Sequence, residues 1–294
     1  MIFSFFGISS HAFNHNWFHR DQVNVQARPL IVWLHGCTEV PGEFIELTQI
    51  LKVANKINAI VYAPQQPATR NMLKCWNWFM PGTQKRGGQL AQVIQEIDHL
   101  IKNKEVDPQQ IYLGGFSAGG VMAMHFAACY PEYFKGIIIH SGAPFKYMTP
   151  LNILSDRLAK SAFQCSEGKV HTPQIKNILI FQGQQDLIVN YKISDQILDQ
   201  IIGMYDLSDN DQLDRSNIQN QSSWIEYHMQ SDFLPNYETS SEHTAVDLKN
   251  GLRIERIIIP EMGHAWSGGT YGLKFSSPDT LNATEYSFER FLKK

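Results

Sequence analysis

The sequence predicts an α/β fold in which helices flank a mostly parallel central sheet. Continuous apolar runs, such as residues 30–34 and 136–140, are typical of strands that are covered on both faces. Segments with the apolar spacing of a helix alternate with these runs, which is the pattern of right-handed strand–helix–strand units. A glycine-rich turn at residues 114–120 joins one such strand to a helix. These three observations predict parallel strands whose carboxyl ends meet at one edge of the sheet.

The predicted strands and helices alternate along most of the chain. We expect strands at residues 30–34, 59–64, 111–113, 136–140, 175–181, 239–248 and 252–259. We expect helices at residues 43–56, 89–102, 121–129, 193–204 and 279–292. Asn250 and Gly251 lie between the last two strands and predict a tight hairpin there.

The length and composition predict one domain. A chain of 294 residues that is 43% apolar can bury one large core, so we expect residues 1–294 to form a single domain. Three segments interrupt the regular alternation. Residues 1–28 are expected to form an edge segment, residues 146–172 a possible cap, and residues 206–221 an exposed polar insertion.

The charge and the cysteine content exclude several functions. The formal net charge is −3 and no basic stripe occurs, so a nucleic-acid partner is not expected. No apolar run reaches the length of a membrane span. The cysteines lack zinc spacing, and His11, His15 and His19 lie in a segment without a helix pattern, so neither a metal nor a cofactor is expected. The sequence does not specify an oligomeric state.

The turn at residues 114–120 carries the first chemical motif. Gly115, Ser117 and Gly119 match G-x-S-x-G, the strand-to-helix turn that holds the nucleophilic serine of α/β-hydrolases. Such a turn is too tight for side chains at the two glycines, and the helix amino terminus behind it favours a developing oxyanion. Glycine-rich turns also bind phosphates, but neither the dinucleotide motif nor the lysine of a P-loop is present.

A serine nucleophile needs a general base and a carboxylate that orients the base. In α/β-hydrolases the three follow one another in the order Ser, Asp or Glu, His, each at the carboxyl end of a strand. Asp186 comes just after the predicted strand at 175–181, and His264 just after the one at 252–259. His140 also ends a strand, but it precedes Asp186 in the chain. The sequence therefore predicts His264 as the base.

Acyl transfer also needs two backbone N–H donors for the tetrahedral oxygen. One is expected at Ala118, directly after the nucleophile, and the other at or near Cys37, in the loop after the first predicted strand. Trp76, Trp78 and Trp266 lie in predicted loops beside this site. They are expected either to form a wall against the substrate or to anchor their loops on the body of the protein.

Several stretches resemble one family of esterases. In chain order they are Leu-His-Gly-Cys-Thr at 34–38, Cys-Trp-Asn-Trp-Phe at 75–79, Gly-Phe-Ser-Ala-Gly-Gly at 115–120, His-Ser-Gly at 140–142 and Gly-His-Ala-Trp-Ser-Gly-Gly at 263–269. Together they resemble the poly(3-hydroxybutyrate) depolymerase esterases, which group with feruloyl and acetylxylan esterases. The similarity runs from about residue 29 to the carboxyl terminus.

The resemblance implies roles for individual residues. It implies a triad of Ser117, Asp186 and His264, oxyanion donors at Cys37 and Ala118, and a disulfide between Cys37 and Cys75. The chain departs from the family pattern at Gln182, where the family often has histidine. We expect this departure, and the polar insertion at 206–221, not to touch the triad.

The resemblance also implies a function. We expect a serine esterase whose partner is its substrate, a hydroxyalkanoate polymer or oligomer ester, and whose reaction passes through an acyl-enzyme. The alternatives are a feruloyl or acetylxylan type of carbohydrate esterase, a peptidase on the same scaffold, and a non-catalytic binding protein. The disulfide and the family favour a secreted or periplasmic location, although residues 1–8 lack the basic start of an export signal.

Overall fold

The structure is a computed structural model that describes residues 14–18, 27–147, 155–229 and 238–293. Within these ranges the strands are β1 (Asn14–Phe18), β2 (Arg28–Leu34), β3 (Ile60–Gln65), β4 (Val106–Phe116), β5 (Gly136–His140), β6 (Asn177–Gly183), β7 (Ile218–Met229), β8 (Glu238–Leu248), β9 (Arg253–Ile259), β10 (Trp266–Ser267) and β11 (Ser276–Ser277). The helices are α1 (Pro41–Thr48), α2 (Ile50–Ile57), α3 (Gly88–Lys102), α4 (Ala118–Cys129), α5 (Ser155–Cys165), α6 (Ile193–Asn210) and α7 (Ala283–Leu292).

The central sheet has the strand order β1-β3-β2-β4-β5-β6-β9-β8-β7. The six strands from β3 to β9 in this order are parallel, and the outer strands β1, β8 and β7 pair antiparallel. This arrangement confirms the predicted mostly parallel α/β sheet. It also brings the carboxyl ends of β2, β4, β6 and β9 to one edge, where loops from distant parts of the sequence meet.

Two buried cores lie on opposite faces of the sheet. Along β2, Leu30, Val32 and Leu34 face the core that α3, α4, α5 and α6 cover. Ile31 and Trp33 face the second core, which α1, α2 and α7 cover. Successive side chains of a strand point to opposite faces, so a strand with helices on both sides needs an unbroken apolar run.

The predicted helix at residues 43–56 is two helices. Gln49 has a φ of 55°, in the left-handed region, and it ends α1 and precedes α2. Its backbone N–H donates to the carbonyl of Glu46, so the break satisfies one of the last carbonyls of α1. The apolar period continues through the break, which is why the sequence pattern gave no sign of it.

Only residues 211–217 of the polar segment at 206–221 form a loop, most of it exposed, so the prediction of one exposed loop was wrong for the two ends of the segment. Helix α6 continues to Asn210, and β7 begins at Ile218. Asp206 is fully buried, and its carboxylate accepts the backbone N–H groups of Arg215 at 2.6 Å and Asn217 at 3.2 Å. A carboxylate can be buried where backbone donors replace water, and composition alone does not reveal such donors.

Helix α5 occupies most of the described part of the expected cap at residues 146–172. It packs against α6, and a disulfide joins its last residue, Cys165, to Cys129 at the end of α4. Cys129 lies at the opposite end of α4 from Ser117. The role of this segment as a cap stays a prediction.

Part of the expected edge segment at residues 1–28 lies outside the described ranges, including the apolar stretch at 1–8. In the described part of this segment, β1 pairs with β3 at the edge of the sheet. Of the three spaced histidines, His15 lies in this strand, and His11 and His19 fall outside the description. No helix in the described ranges is both long enough and apolar enough to cross a membrane.

Candidate active site

Ser117 lies in the sharp turn between β4 and α4. Its backbone has a φ of 54° and a ψ of −119°, a conformation that side-chain-bearing residues rarely adopt outside functional turns. Its backbone N–H donates to the carbonyl of His140 on the neighbouring strand β5. A Cβ added at Gly115 would lie 2.1 Å from the carbonyl oxygen of Gly119, and one at Gly119 would lie 2.0 Å from that of Leu34. Only glycine fits at both flanking positions.

The structure brings Ser117, His264 and Asp186 together. The hydroxyl oxygen of Ser117 lies 3.0 Å from His264 Nε2, and His264 Nδ1 lies 2.7 Å from Asp186 Oδ2. The loops after β4, β6 and β9 supply the three residues, which are up to 147 positions apart in sequence. The Ser117 hydroxyl can pass its proton to His264 over this distance, and Asp186 holds the imidazole in the required orientation.

Asp186 is 5% exposed and is held by four donors. The backbone N–H groups of Ile188 and Val189 both donate to Oδ1 at 2.8 Å, and Oδ2 accepts from His264 and from Gln182 Nε2. Burial pushes the pKa of Asp186 upward, but the hydrogen bonds, with that of His264 foremost, outweigh it and lower the pKa below its ordinary value. The carboxylate therefore stays ionised beside the base.

The contact from Gln182 corrects an expectation from the sequence. Its amide nitrogen lies 2.9 Å from Asp186 Oδ2 and 2.9 Å from the carbonyl oxygen of Val189. Gln182 is the penultimate residue of the buried strand β6, four residues before the acid, and that spacing was the signal that could have identified it. The departure from the family pattern thus touches the predicted triad directly.

The loop after β2 passes beside Ser117, because a Cβ added at Gly36, the residue before Cys37, would lie 3.3 Å from Ser117 Cβ. In the ranges that the structure describes, the backbone N–H groups of Cys37 and Ala118 have no acceptor. Cys37 is joined by a disulfide to Cys75. His35 braces the same loop, because its Nδ1 lies 2.7 Å from the Gly36 carbonyl and its Nε2 accepts the backbone N–H of Gln66 at 3.1 Å. The role of these two N–H groups as oxyanion donors stays a prediction.

The three tryptophans are not equivalent. Trp76 and Trp266 are both 0% exposed, so neither indole can form a wall against a substrate in this conformation. Trp76 Nε1 donates to the carbonyl of His35, which anchors the aromatic loop, and Trp266 packs in the core with its centroid 5.4 Å from that of Trp33. Trp78 is half-buried beside Val121, one turn along α4 from the nucleophile. The predicted wall therefore reduces to Trp78.

His140 is not a competing base. Its ring is fully buried, stacks on Trp266 with centroids 4.6 Å apart, and accepts the backbone N–H of Ser267 at 3.1 Å. Burial lowers the pKa of His140 to about 3, so the imidazole is neutral. It packs beneath the site and supports the segment that follows His264.

A second serine–histidine–carboxylate chain exists elsewhere in the molecule. Ser241 Oγ lies 2.7 Å from His243 Nε2, and His243 Nδ1 lies 2.8 Å from Glu255 Oε1. Ser241 and Glu255 are 0% exposed and His243 is 2% exposed, so no substrate reaches them. Ser241 also lies within strand β8 and not at a strand-to-helix turn. This chain is a buried hydrogen-bond network that the sequence analysis did not identify.

Comparison with known proteins places the chain among esterases. A family model described as Esterase PHB depolymerase matches residues 18–217. The matched range includes Ser117 and Asp186 and ends before His264.

Two curated relatives illustrate the range of similarity. Poly(3-hydroxyalkanoate) depolymerase C from Paucimonas lemoignei is 37% identical over 147 residues, which cover 49% of this chain and 33% of that protein. Feruloyl esterase B from Thermothelomyces thermophilus is 25% identical over 188 residues, which cover 58% of this chain and 64% of that protein. The chain thus spans less than two thirds of the length of either relative.

The fold has a counterpart among solved structures. The acetyl xylan esterase from Aspergillus awamori aligns with a TM-score of 0.64 at 15% identity, covering 85% of this chain and 88% of that one. At this identity the likeness concerns the fold alone, and it confirms the predicted α/β fold with a mostly parallel central sheet.

Proposed function

Because the chain belongs to the esterase PHB depolymerase family, we propose that it is a serine carboxylic ester hydrolase. One observation carries this proposal. The hydroxyl of Ser117, the imidazole of His264 and the carboxylate of Asp186 form an unbroken hydrogen-bond chain at the carboxyl edge of the sheet. This is the arrangement that activates a serine hydroxyl for attack on an acyl carbon.

The chemistry has two halves that use the same groups. As the Ser117 oxygen bonds to the ester carbonyl carbon, His264 Nε2 takes the hydroxyl proton, and it then gives that proton to the departing alcohol. Water next attacks the acyl-enzyme and loses a proton to His264, and the same proton returns to Ser117 as the acid leaves. Asp186 stays ionised throughout and stabilises the imidazolium that forms in each half.

The oxygen of each tetrahedral intermediate needs donors that are already in place. We assign this role to the backbone N–H groups of Cys37 and Ala118, which have no acceptor in the described part of the chain. The disulfide to Cys75 supports the assignment because it restrains the loop that carries the Cys37 donor. Ala118 begins α4, so the helix dipole adds to the same field.

The proposed substrate is a hydroxyalkanoate ester, in polymer or oligomer form. The relative with 37% identity is named a poly(3-hydroxyalkanoate) depolymerase, which supports this class. A carbohydrate esterase of the feruloyl or acetylxylan type is the second candidate, because a feruloyl esterase matches over a larger share of this chain. The triad does not separate these substrates, since it acts only on the carbonyl carbon and its two oxygens.

We also propose that the protein works outside the cytosol, as a secreted or periplasmic enzyme. Cys37–Cys75 and Cys129–Cys165 are both disulfides, and the described residues include no free cysteine. Disulfides of this structural kind persist in oxidising compartments.

A covalent fluorophosphonate probe with peptide mapping tests the mechanism. We expect a single adduct on Ser117, no adduct in Ser117→Ala and a greatly slowed reaction in His264→Ala. Hydroxybutyrate oligomers, feruloyl esters and acetylated xylan, assayed in parallel, test the substrate class. Binding to any of these without turnover, unchanged by Ser117→Ala, would mean a non-catalytic binding protein instead.

A further inference from the structure

A cavity of about 370 Å³ opens beside the proposed oxyanion loop. Its walls come from two segments, the loop after β2 with helix α1, and the segment that follows His264. The residues that matter here are Thr38, Glu39, Leu47, Leu273, Lys274 and Phe275. Thr38 follows Cys37 directly, and the ring of Phe275 lies 6.3 Å from that of His264 between centroids. The cavity is therefore next to the place where the ester carbonyl would react.

Glu39 is the only buried carboxyl in the described wall of this cavity, with 6% of its surface exposed. Its Oε2 accepts the backbone N–H of Gly36 at 2.6 Å, one residue before the Cys37 amide. A Cβ added at Gly36 would lie 2.7 Å from Glu39 Oε2 and 3.3 Å from Ser117 Cβ. The carboxyl of Glu39 and the side chain of Ser117 thus both pack next to the α-carbon of Gly36.

The other carboxyl oxygen of Glu39 is left without a partner. Among the described residues, no side chain or backbone group hydrogen-bonds to Oε1 and no cation pairs with the carboxylate within 4.0 Å. Oε1 is not itself enclosed by protein, so it opens onto the cavity, where a hydroxyl of a ligand can replace water as its hydrogen-bond donor.

The surroundings of Glu39 also set its protonation state, which decides whether Oε1 can accept a hydrogen bond. Burial raises the pKa of Glu39 to about 7, with the Gly36 N–H and Lys274 acting in the opposite direction and Glu43 in the same direction. The group therefore changes from acid to carboxylate within the neutral pH range. Once ionised, its oxygens accept hydrogen bonds and cannot donate them.

The remaining walls limit what else can bind. Leu47, Leu273 and Phe275 are apolar, so they suit a short aliphatic or ring carbon skeleton. Building on the proposed function, we infer that this cavity is a substrate subsite in which Glu39 Oε1 accepts a hydrogen bond from a free hydroxyl of the ester. A terminal 3-hydroxyacyl unit and a sugar both carry such a hydroxyl. An internal unit of a polyester does not, because its 3-oxygen is esterified.

The acyl side is tested with esters of one alcohol that carry butyryl, 3-hydroxybutyryl or 3-methoxybutyryl groups. The measured quantity is kcat/KM from pH 6 to pH 8.5, in the wild type and in Glu39→Gln. We expect the 3-hydroxy ester to be preferred over the 3-methoxy ester by about tenfold above pH 7, the value of one charge-assisted hydrogen bond, and by less at pH 6. In Glu39→Gln the amide still accepts from Gly36 but turns a donor toward the ligand, so the ratio becomes small and independent of pH.

A ratio of two substrates on the same variant cancels any general damage to the oxyanion loop. Glu46→Gln is the matched control, since Glu46 is an exposed carboxylate on helix α1, close in sequence to Glu39 but outside the cavity wall. It should keep the wild-type ratio and its pH dependence. The alcohol side is tested in the same way with an acetylated sugar and its deoxy analogue.

Each outcome has a defined meaning. A Glu39-dependent hydroxyl preference in the acyl series supports a 3-hydroxyacyl ligand, and one in the alcohol series supports a sugar ligand. Hydrolysis of the butyryl ester with no hydroxyl preference in either series would overturn the subsite and leave the esterase proposal intact. Failure of the wild type to hydrolyse any of these esters would overturn the esterase proposal itself.

Discussion

Gln182 Nε2 donates a hydrogen bond of 2.9 Å to Asp186 Oδ2, the same oxygen that accepts from His264. The amide also donates to the carbonyl of Val189, so it joins the end of β6 to the loop that carries the acid. A side chain that holds the acid in place acts on the base indirectly, by fixing the carboxylate to which the imidazole bonds.

We expect Gln182→Met to lower kcat/KM by roughly tenfold, because the variant removes one hydrogen bond to a buried carboxylate at nearly constant side-chain volume. The comparison is Gln184→Met, two residues further on, where the amide is exposed. Ester hydrolysis and thermal unfolding are measured on both. Equal activity in the two variants would show that Gln182 does not position the acid.

The two disulfides form a natural matched pair. Their cysteines are 38 and 36 residues apart, so the chain-entropy model gives each about 4 kcal/mol of stabilisation. We expect alanine at Cys37 and Cys75, or at Cys129 and Cys165, to lower the free energy of unfolding by similar amounts. Only loss of Cys37–Cys75 should also lower kcat/KM, by tenfold or more, since it frees the loop with the proposed oxyanion donor. Equal activity of the two double variants below their unfolding temperatures would contradict that role.

The burial of Trp266 and the partial exposure of Trp78 predict opposite effects. Trp266→Ala should lower the free energy of unfolding by about 3–5 kcal/mol, as expected for a large cavity in a core. Trp78→Ala should cost less stability and should mainly raise KM. Denaturant unfolding and steady-state kinetics on both variants measure this contrast. If Trp266→Ala, in the folded protein, raised KM more than Trp78→Ala does, the assignment of Trp78 as the substrate-facing tryptophan would be contradicted.

The buried carboxyl of Glu39 predicts a pH-dependent stability. Its pKa of about 7 in the folded protein exceeds the ordinary 4.5, so the folded state holds the proton longer than the unfolded state. The stability that this provides is present below about pH 4.5 and has been lost once the pH passes 7, a change of about 3 kcal/mol.

Glu39→Gln removes the pH-dependent contribution of Glu39 to stability and leaves the other titrating groups in place. The difference in unfolding free energy, wild type minus variant, should therefore fall between pH 4.5 and pH 7.5. Urea unfolding at several pH values measures it. A difference that stays constant with pH would mean that Glu39 titrates normally.

Ser241→Ala tests whether the second serine–histidine–carboxylate chain is only structural. We expect the variant to keep wild-type kcat and to lose about 1 kcal/mol of stability with its hydrogen bonds. Ser117→Ala should instead lose activity by several orders of magnitude. A fluorophosphonate adduct on Ser241 would contradict the enclosed character of that network.

The sequence by itself determined the features that depend on local sterics and on chain order. Gly115 is required because a Cβ there would meet backbone atoms of Gly119 and Gly120 in the same turn, which is a local contact. The unbroken apolar runs followed from helices on both faces of the sheet. Asp186 and His264 could be predicted because residues after parallel strands meet at one edge, whatever lies between them in sequence.

Only the tertiary structure decided which polar and aromatic side chains are enclosed and by what. Trp266 is buried against Trp33 across 233 positions of chain, and Asp206 is buried because two backbone amides of the following turn reach it. Two serine–histidine–carboxylate chains have similar distances, and the one at Ser117 differs from the one at Ser241 in its exposure and in the strand-to-helix turn that holds its serine. Burial is a property of everything that packs around a side chain, so no local pattern in the sequence specifies it.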